Sequence, residues 1–187
     1  ARILFGSGRS AEVSSAIEAL GCRHALVLAT PHQKADAEAL SDRLGNLSVG
    51  VFAGAVMHTP VDVTDAALKV VKDTEADCVV SLGGGSTTGL GKAIAYRTDL
   101  PQVVIPTTYA GSEVTPILGQ TEGGRKTTVR NASILPEVVI YDPDLTLGLP
   151  VAMSVTSGLN AMAHAVEGLY AQDRNPVSTL MALDGLR

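Results

Sequence analysis

The sequence predicts an α/β protein built on a parallel sheet, and three observations support this fold class. Apolar runs of strand length alternate with segments of helical periodicity through the first 110 residues, a pattern typical of βαβ units. Runs such as ALVLA and CVVSL are apolar at every position, as strands buried on both faces require. The chain has 187 residues and 45% hydrophobic content, which is enough to bury a core.

Five strands and four helices are predicted to alternate before residue 110. The strands are expected at 3–6, 24–30, 47–56, 77–83 and 101–108, and the helices at 10–21, 32–45, 59–76 and 86–98. In the second helix, we expect one face to carry Ala35, Ala39, Leu40 and Leu44. Thr59 is expected to cap the third helix, with Pro60 at its first position.

The pattern changes after residue 110. Two short strands are expected within 117–130 and a further strand at 138–143, followed by apolar helices at 149–172 and 175–187. Because two apolar helices cannot bury their stripes alone, they are predicted to open a helical domain of a longer protein. The predicted domains are therefore residues 1–150, an α/β domain, and residues 151–187, the start of an all-helical domain.

The composition and the first residues of the sequence argue against two classes of partner, nucleic acids and membranes. The net charge of −5 and the lack of any Lys- or Arg-rich run argue against nucleic acid. The first residues lack the apolar length of a signal peptide or membrane span, so we expect a cytoplasmic protein with no membrane partner. Cys22 and Cys78 stand in or beside apolar runs without a CxxC pattern, which favours buried free thiols.

The stretch VVSLGGGSTTGLGKAIA, residues 79–95, carries the first functional signal. Three glycines end a strand and open a helix, where bare backbone can approach a diphosphate and the helix N-terminus offers free N–H groups. Ser86 and Thr87 add hydroxyl donors. The spacing fits neither a Walker loop nor the GxGxxG fingerprint. A pyrophosphate site is therefore predicted, and a tight turn without a ligand stays open as the alternative.

The second signal is IPTTYAGSEVTP, residues 105–116, which also follows a buried strand and is dense in hydroxyl groups. Ligands of open α/β sheets bind beyond the carboxyl ends of the strands. Two such loops after neighbouring strands indicate one cleft and hence a Rossmann-like dinucleotide-binding domain.

A third signal lies in SGLNAMAHAVEGLY, residues 157–170. Asn160 and His164 are four residues apart and Glu167 follows three later, so all three share a helical face. An Asp–His pair at this spacing would supply half of a metal site, but Asn is a poor ligand for a transition metal. A hydrogen-bonded core histidine is the alternative.

Together these motifs resemble the iron-containing alcohol dehydrogenase family. GGGSTT, PTTYAGSEVT, IYDPDLTLGLP and TSGLNAMAHAVEG occur in the family's order and spacing and cover nearly the whole chain. The resemblance implies an N-terminal dinucleotide-binding domain, a C-terminal helical domain and an active site in the cleft between them.

Three departures from the family pattern resemble its maleylacetate reductase branch. Asn160 and Gly89 stand where metal-dependent members have Asp, and PTTYAGSE is shorter than the usual loop. This resemblance implies reduction of the carbon–carbon double bond of maleylacetate to 3-oxoadipate, with NADH or NADPH, in the breakdown of aromatic compounds. It also implies a small dicarboxylate substrate, a homodimer and no metal.

The resemblance also implies roles for individual residues. Gly84, Gly85, Ser86 and Thr87 would hold the pyrophosphate, Lys126 would reach the nicotinamide ribose, and the cleft would be lined by Thr107, Thr108 and Ser112. Thr30 stands where NAD-selective relatives carry Asp, so NADPH should be tolerated beside NADH.

Fewer residues are candidates for catalysis than for cofactor binding. Asn160 and His164 would polarise the substrate, with His58 as a weaker candidate and Arg125 or Arg130 facing a carboxylate. Three alternatives stay open: a metal-dependent alcohol or polyol dehydrogenase, a non-catalytic nucleotide-binding module, and a phosphate-sugar cyclase related to dehydroquinate synthase. Residues 1–187 alone are expected to bind cofactor poorly and to catalyse little.

Overall fold

The computed structural model describes all 187 residues, which form two compact units, Ala1–Leu147 and Gly148–Arg187. The first unit holds a six-stranded sheet and a separate two-stranded hairpin. The strands of the six-stranded sheet are β1 (Arg2–Phe5), β2 (Ala25–Leu28), β3 (Ser48–Phe52), β4 (Cys78–Gly83), β5 (Gln102–Pro106) and β8 (Val138–Tyr141). The hairpin consists of β6 (Ile117–Glu122) and β7 (Arg125–Arg130).

Four helices connect the strands of the first unit. They are α1 (Val13–Ala19), α2 (Lys34–Leu44), α3 (Val61–Asp73) and α4 (Gly85–Thr98). One hydrophobic cluster packs α1 and α2 against one face of the sheet, and a second packs α3 and α4 against the other face. The predicted α/β class with a parallel sheet is therefore confirmed.

The order of the strands determines where a ligand can bind. All six strands are parallel, in the order β1-β8-β5-β4-β2-β3. The chain runs outward from β2 to β3 through α2, and it runs the opposite way from β4 to β5 through α4 on the other face. The neighbouring pair β2 and β4 is thus a topological switch point, where open α/β sheets bind ligands.

The central strands are buried on both faces, as their apolar sequences predict. Every residue of β2, β4 and β5 is buried. Successive side chains alternate between the two clusters: Val27 and Val80 pack with α1 and α2, whereas Leu26 and Val79 pack with α3 and α4. The carboxyl ends of these strands are consequently held in fixed register, and they support the loops described below.

Two details of the helices differ from the prediction. In α2 the buried residues are Ala37, Leu40 and Leu44, whereas Ala35 and Ala39 are exposed. Leu40 and Leu44 were predicted correctly. Ala35 and Ala39 were wrong because positions 37, 40 and 44 fall within one narrow arc at 3.6 residues per turn, and positions 35 and 39 fall outside it.

The predicted cap of α3 was also wrong. Pro60 is itself the N-cap, with φ −61° and ψ 142°, and no side-chain hydrogen bond caps the helix. Because Pro60 keeps an extended ψ, the helix begins one residue later than expected. The side chain of Thr59 is instead buried against Gly89 of α4.

The second unit contains two helices, α5 (Val151–Tyr170) and α6 (Pro176–Gly185). Asn175 and Ser178 form a reciprocal capping box at the start of α6. No residue of α5 is buried, and Ala182 is the buried residue of α6. Neither these helices nor those of the first unit combine the length and apolar character needed to span a bilayer.

Candidate nucleotide-binding site

The two loops singled out by their glycines and hydroxyls meet at the carboxyl edge of the sheet. β4 and β5 are hydrogen-bonded neighbours, with Gly83 opposite Pro106. The main-chain N–H of Thr107 donates to the carbonyl oxygen of Gly83 at 3.1 Å. A Cβ on Gly84 would stand 2.8 Å from Cγ2 of Thr108. Residue 84 must therefore be glycine for the two loops to approach this closely.

The start of α4 forms a cradle of main-chain donors. Gly84 is the N-cap, and Gly85 and Ser86 occupy the first helical positions, whose N–H groups have no acceptor within the helix. At the base of the same turn, the hydroxyl of Thr87 is buried and lacks a hydrogen-bond partner. Free N–H groups, the positive end of the helix dipole and the missing Cβ atoms fit a diphosphate.

A chain of side-chain hydrogen bonds crosses the switch point beside this cradle. Thr30, which follows β2, donates its hydroxyl to Oε1 of Gln33 at 3.3 Å. Nε2 of Gln33 donates to the hydroxyl of Thr107 at 3.0 Å. The ends of β2 and β5 are thus joined across β4. Gln33 was not predicted from the sequence, because nothing in its local pattern indicates a partner 74 positions away.

A cavity of about 350 Å³ opens between α4, the hairpin and residues 57–59. It brings together five residues predicted from the sequence, together with one that was missed. These lining residues are His58, Gly85, Ser86, Ser112, Lys126 and Lys92. Two lysines on the walls of a cavity at a helix N-terminus favour an anionic ligand.

Lys92 is the lining residue of this cavity that was not predicted from the sequence. Its side chain is fully buried, and Nζ donates to the hydroxyl of Ser112 at 3.1 Å, the hydroxyl of Thr115 at 3.0 Å and the carbonyl of Ile117 at 3.0 Å. It also donates to the carbonyl of Ser112, so the three ammonium protons are shared among four oxygens. The lysine therefore ties residues 112–117 to α4.

The charge of Lys92 is sensitive to its surroundings. Burial lowers the pKa of its ammonium to about 8, and the nearby carboxylate of Glu113 opposes this shift. Lys92 was not predicted from the sequence because it does not stand at the position of the lysine of a Walker loop. The signal that could have found it is a lone lysine within the otherwise apolar, small-residue run of α4.

The loop at the rim of the cavity has an unusual backbone. His58 and Thr59 both have positive φ angles, 68° and 46°, which non-glycine residues rarely adopt. The hydroxyl of Thr59 occupies the place where a Cβ of Gly89 would stand. Thr59 and Gly89 are therefore coupled, because a side chain at position 89 would displace this loop.

A second cavity, of about 400 Å³, lies on the other side of the loop formed by residues 107–113. The rings of Phe5 and Tyr141 stand 6.5 Å apart on its wall. The hydroxyl of Tyr141 donates to Oε1 of the buried Glu113 at 2.8 Å, and burial together with this carboxylate raises the pKa of Tyr141. Its aromatic walls suit a planar ring.

The remaining predicted residues lie on exposed surfaces. Asn160 and His164 belong to α5 in the second unit, and both are exposed. Nδ1 of His164 pairs with Oε2 of Glu167 at 3.3 Å on this exposed face. Arg125 and Arg130 are exposed at the two ends of β7.

The family model described as iron-containing alcohol dehydrogenase matches residues 1–143. The chain belongs to this family. The resemblance inferred from the motifs is thereby confirmed, and the cradle at the start of α4 can be compared with those of family members.

Relatives in the family are similar along the whole chain. A maleylacetate reductase of Rhizobium sp. strain MTP-10005 is 70% identical over all 187 residues, which is 53% of that protein. The crystal structure of maleylacetate reductase from the same strain matches 98% of the chain and 52% of that structure, at a TM-score of 0.96 and 69% identity. A sulfoacetaldehyde reductase from Bifidobacterium kashiwanohense, solved in complex with NAD⁺, matches at 27% identity and a TM-score of 0.90, covering 97% of the chain and 55% of that structure. The chain thus spans about half the length of the relatives it matches.

The family name implies a metal ion, and such an ion requires side chains that can coordinate it. The family motif corresponds here to Asn160 and His164. An amide oxygen is a poor ligand for Fe²⁺ or Zn²⁺, so Asn160 does not suit a transition-metal centre. The contact of Nδ1 of His164 with Glu167 leaves Nε2 of the ring free, which is the arrangement that a metal-binding histidine has.

Proposed function

We propose that the protein reduces the carbon–carbon double bond of maleylacetate to 3-oxoadipate with NADH or NADPH. The observation that carries this proposal is the 70% identity, over every residue of the chain, to a protein named maleylacetate reductase. The anion-binding cradle at the switch point supports the nucleotide part of the proposal, as does the relative solved with NAD⁺.

The residues of the first unit would hold the cofactor. Gly84, Gly85 and Ser86 would bind the pyrophosphate through main-chain N–H groups. Lys92 and Lys126 line the adjoining cavity and would balance the negative charge. When bound there, the nicotinamide supplies a hydride. The protein's task is to fix its position and to keep bulk water away from the transfer.

Residues of α5 would polarise the substrate ketone. Nδ1 of His164 is paired with Oε2 of Glu167, which leaves Nε2 to face the substrate. There it would interact with the enolate oxygen that develops during reduction. The side-chain amide of Asn160 would donate to this oxygen, and His58 is a third candidate. Arg125 or Arg130 would face a substrate carboxylate.

An assay on the intact protein tests this function. After treatment with a chelator and dialysis, we expect NADH oxidation with maleylacetate at a rate that added Fe²⁺ or Zn²⁺ does not change. Asn160→Asp, which restores a carboxylate of the same size, should make the rate respond to added metal. Matched metal-free controls without substrate give the background oxidation.

Other outcomes of this assay point to the alternatives. The family match to iron-containing alcohol dehydrogenases favours a metal-dependent alcohol or polyol dehydrogenase, and turnover that returns only with metal would overturn the metal-free proposal. Binding of NADH without turnover of any enone acid, carbonyl compound or alcohol would instead support a non-catalytic module.

A homodimer and a cytoplasmic location complete the proposal, and sedimentation equilibrium at several concentrations tests the dimer.

The identity of residue 30 is expected to govern the choice between NADH and NADPH. In Thr30→Asp, a carboxylate would accept from the ribose hydroxyls and repel a 2′-phosphate. We expect the ratio of kcat/KM for NADH over NADPH to rise roughly 10- to 100-fold, equivalent to about 1.4–2.7 kcal/mol. Thr30→Asn has the same size without the charge, and a similar ratio in that variant would contradict the electrostatic explanation.

A further inference from the structure

The geometry points to a second site, for a thiophilic divalent cation of the Zn²⁺ type, formed by Cys22, Asp77 and Cys78. These residues lie at the amino-terminal edge of the sheet. Cys78 is the first residue of β4 and pairs with Ala25 of β2, and Cys22 lies in the connection between α1 and β2. The site is therefore at the end of the strands opposite to the nucleotide cradle.

The ligand atoms of the three residues already stand close together. One Sγ from each cysteine and one carboxylate oxygen of Asp77 all lie within 4.8 Å of one another. In a tetrahedral Zn²⁺ site, sulfur ligands at about 2.3 Å and oxygen ligands at about 2.1 Å place neighbouring donors roughly 3.5–3.8 Å apart. An adjustment of about 1 Å or less would bring these donors to that separation.

The carboxylate of Asp77 is held in place by the main chain. The N–H of Arg23 donates to Oδ2 at 2.7 Å, and the N–H of His24 donates to Oδ1 at 2.8 Å. The N–H of Asp77 returns a hydrogen bond to the carbonyl of His24 at 2.9 Å. Each carboxylate oxygen keeps a free lone pair, and such outer contacts are what orient the ligands of metal sites.

The two thiols are available to a metal ion. Both are free, and Cys78 is fully buried whereas Cys22 is 5% exposed. The thiolate is the form of cysteine that binds a metal ion. A cation entering beside Cys22 can displace both protons and neutralise the resulting thiolates.

Cadmium titration of the intact protein tests the site. The protein is reduced with a phosphine, dialysed free of metal and titrated with Cd²⁺, whose bonds to thiolate give a charge-transfer absorption in the ultraviolet. We expect a saturable band that is lost in Cys22→Ala and in Cys78→Ala. Asp77→Asn should bind Cd²⁺ at least tenfold more weakly. Calorimetry in buffers of different ionisation enthalpy should show about two protons released per ion.

A stability readout separates binding from misfolding. Cd²⁺ should raise the unfolding temperature of the wild type and leave that of the cysteine variants unchanged, while all variants keep their affinity for NADH. The proposal fails if the wild type shows no band, if the band persists in both cysteine variants, or if protein reduced in this way pairs the two thiols as a disulfide instead of binding the ion.

Discussion

Gly83→Ala is expected to lower the free energy of unfolding by about 2–6 kcal/mol and to weaken NADH binding. Gly83 ends β4 with φ 149°, a backbone conformation open almost only to glycine, and forcing alanine into it costs about 1–3 kcal/mol. The new Cβ would stand 2.6 Å from Oγ1 of Thr87 and 2.7 Å from Oε1 of Gln33. Overpacking of this kind adds about 1–3 kcal/mol.

Denaturant unfolding and nucleotide titration measure the two effects of Gly83→Ala. Gly21→Ala is the matched control, because Gly21 has φ 79° and no atom within 4 Å of its would-be Cβ. The control should lose only about 1–2 kcal/mol and keep its affinity for NADH. Equal losses in the two variants would show that backbone strain alone matters and that the contacts with Gln33 and Thr87 do not.

Lys92→Met is expected to lower the free energy of unfolding by roughly 2–5 kcal/mol. The substitution removes the donor of two main-chain carbonyls and two hydroxyls, and each buried group left unsatisfied costs about 1–3 kcal/mol. Residues 112–117 should then detach from α4, and NADH affinity should fall at least tenfold. Denaturant unfolding and equilibrium titration with NADH measure the two changes.

Lys126→Met is the matched control for Lys92→Met. Lys126 lines the same cavity but is exposed, so its removal should weaken NADH binding with little change in stability. If Lys126→Met destabilised the protein as much as Lys92→Met, the structural role assigned to Lys92 would be wrong.

Because of Lys92, NADH affinity and the free energy of unfolding should change in opposite directions as the pH rises. Because burial lowers the pKa of Lys92 from 10.5 to about 8, the native protein loses this proton near pH 8, while the unfolded chain keeps it up to about pH 10.5. Its contribution to the free energy of unfolding therefore rises from pH 8 to 10.5. Over the same range NADH affinity should fall, because the cavity loses a positive charge. Both trends should be absent from the corresponding curves of Lys92→Met.

Local sequence patterns predicted most of the fold because its strands and helices are locally encoded. Apolar runs revealed β2, β4 and β5, and the two short strands expected within 117–130 form the hairpin, where Gly123 and Gly124 both have positive φ angles. The position of β8 between β1 and β5 could not be predicted in this way. Its partners are far away in the sequence, and a strand's own residues do not encode which neighbours it pairs with.

The residues of the candidate site likewise fall into two groups, those that local sequence could predict and those that it could not. Gly84, Gly85 and Ser86 were found because glycine and hydroxyl groups are concentrated in one short stretch. Gln33 and Lys92 were missed because the role of each depends on groups that folding brings near it. The acceptors of Lys92 lie 20 to 25 positions further along the chain, beyond the reach of helical or strand periodicity.

In the proposed nucleotide site, the bond between Thr30 and Gln33 would affect which ribose is accepted. The hydroxyl of Thr30 has a single proton, which is directed at Oε1 of Gln33. Only its lone pairs remain for a ligand. A ribose hydroxyl can donate to a lone pair, whereas the 2′-phosphate of NADPH offers mainly acceptors and needs a donor. Thr30 does not repel the phosphate, but while bonded to Gln33 it gives the phosphate no hydrogen bond, so this side of the cleft matches the unphosphorylated ribose better.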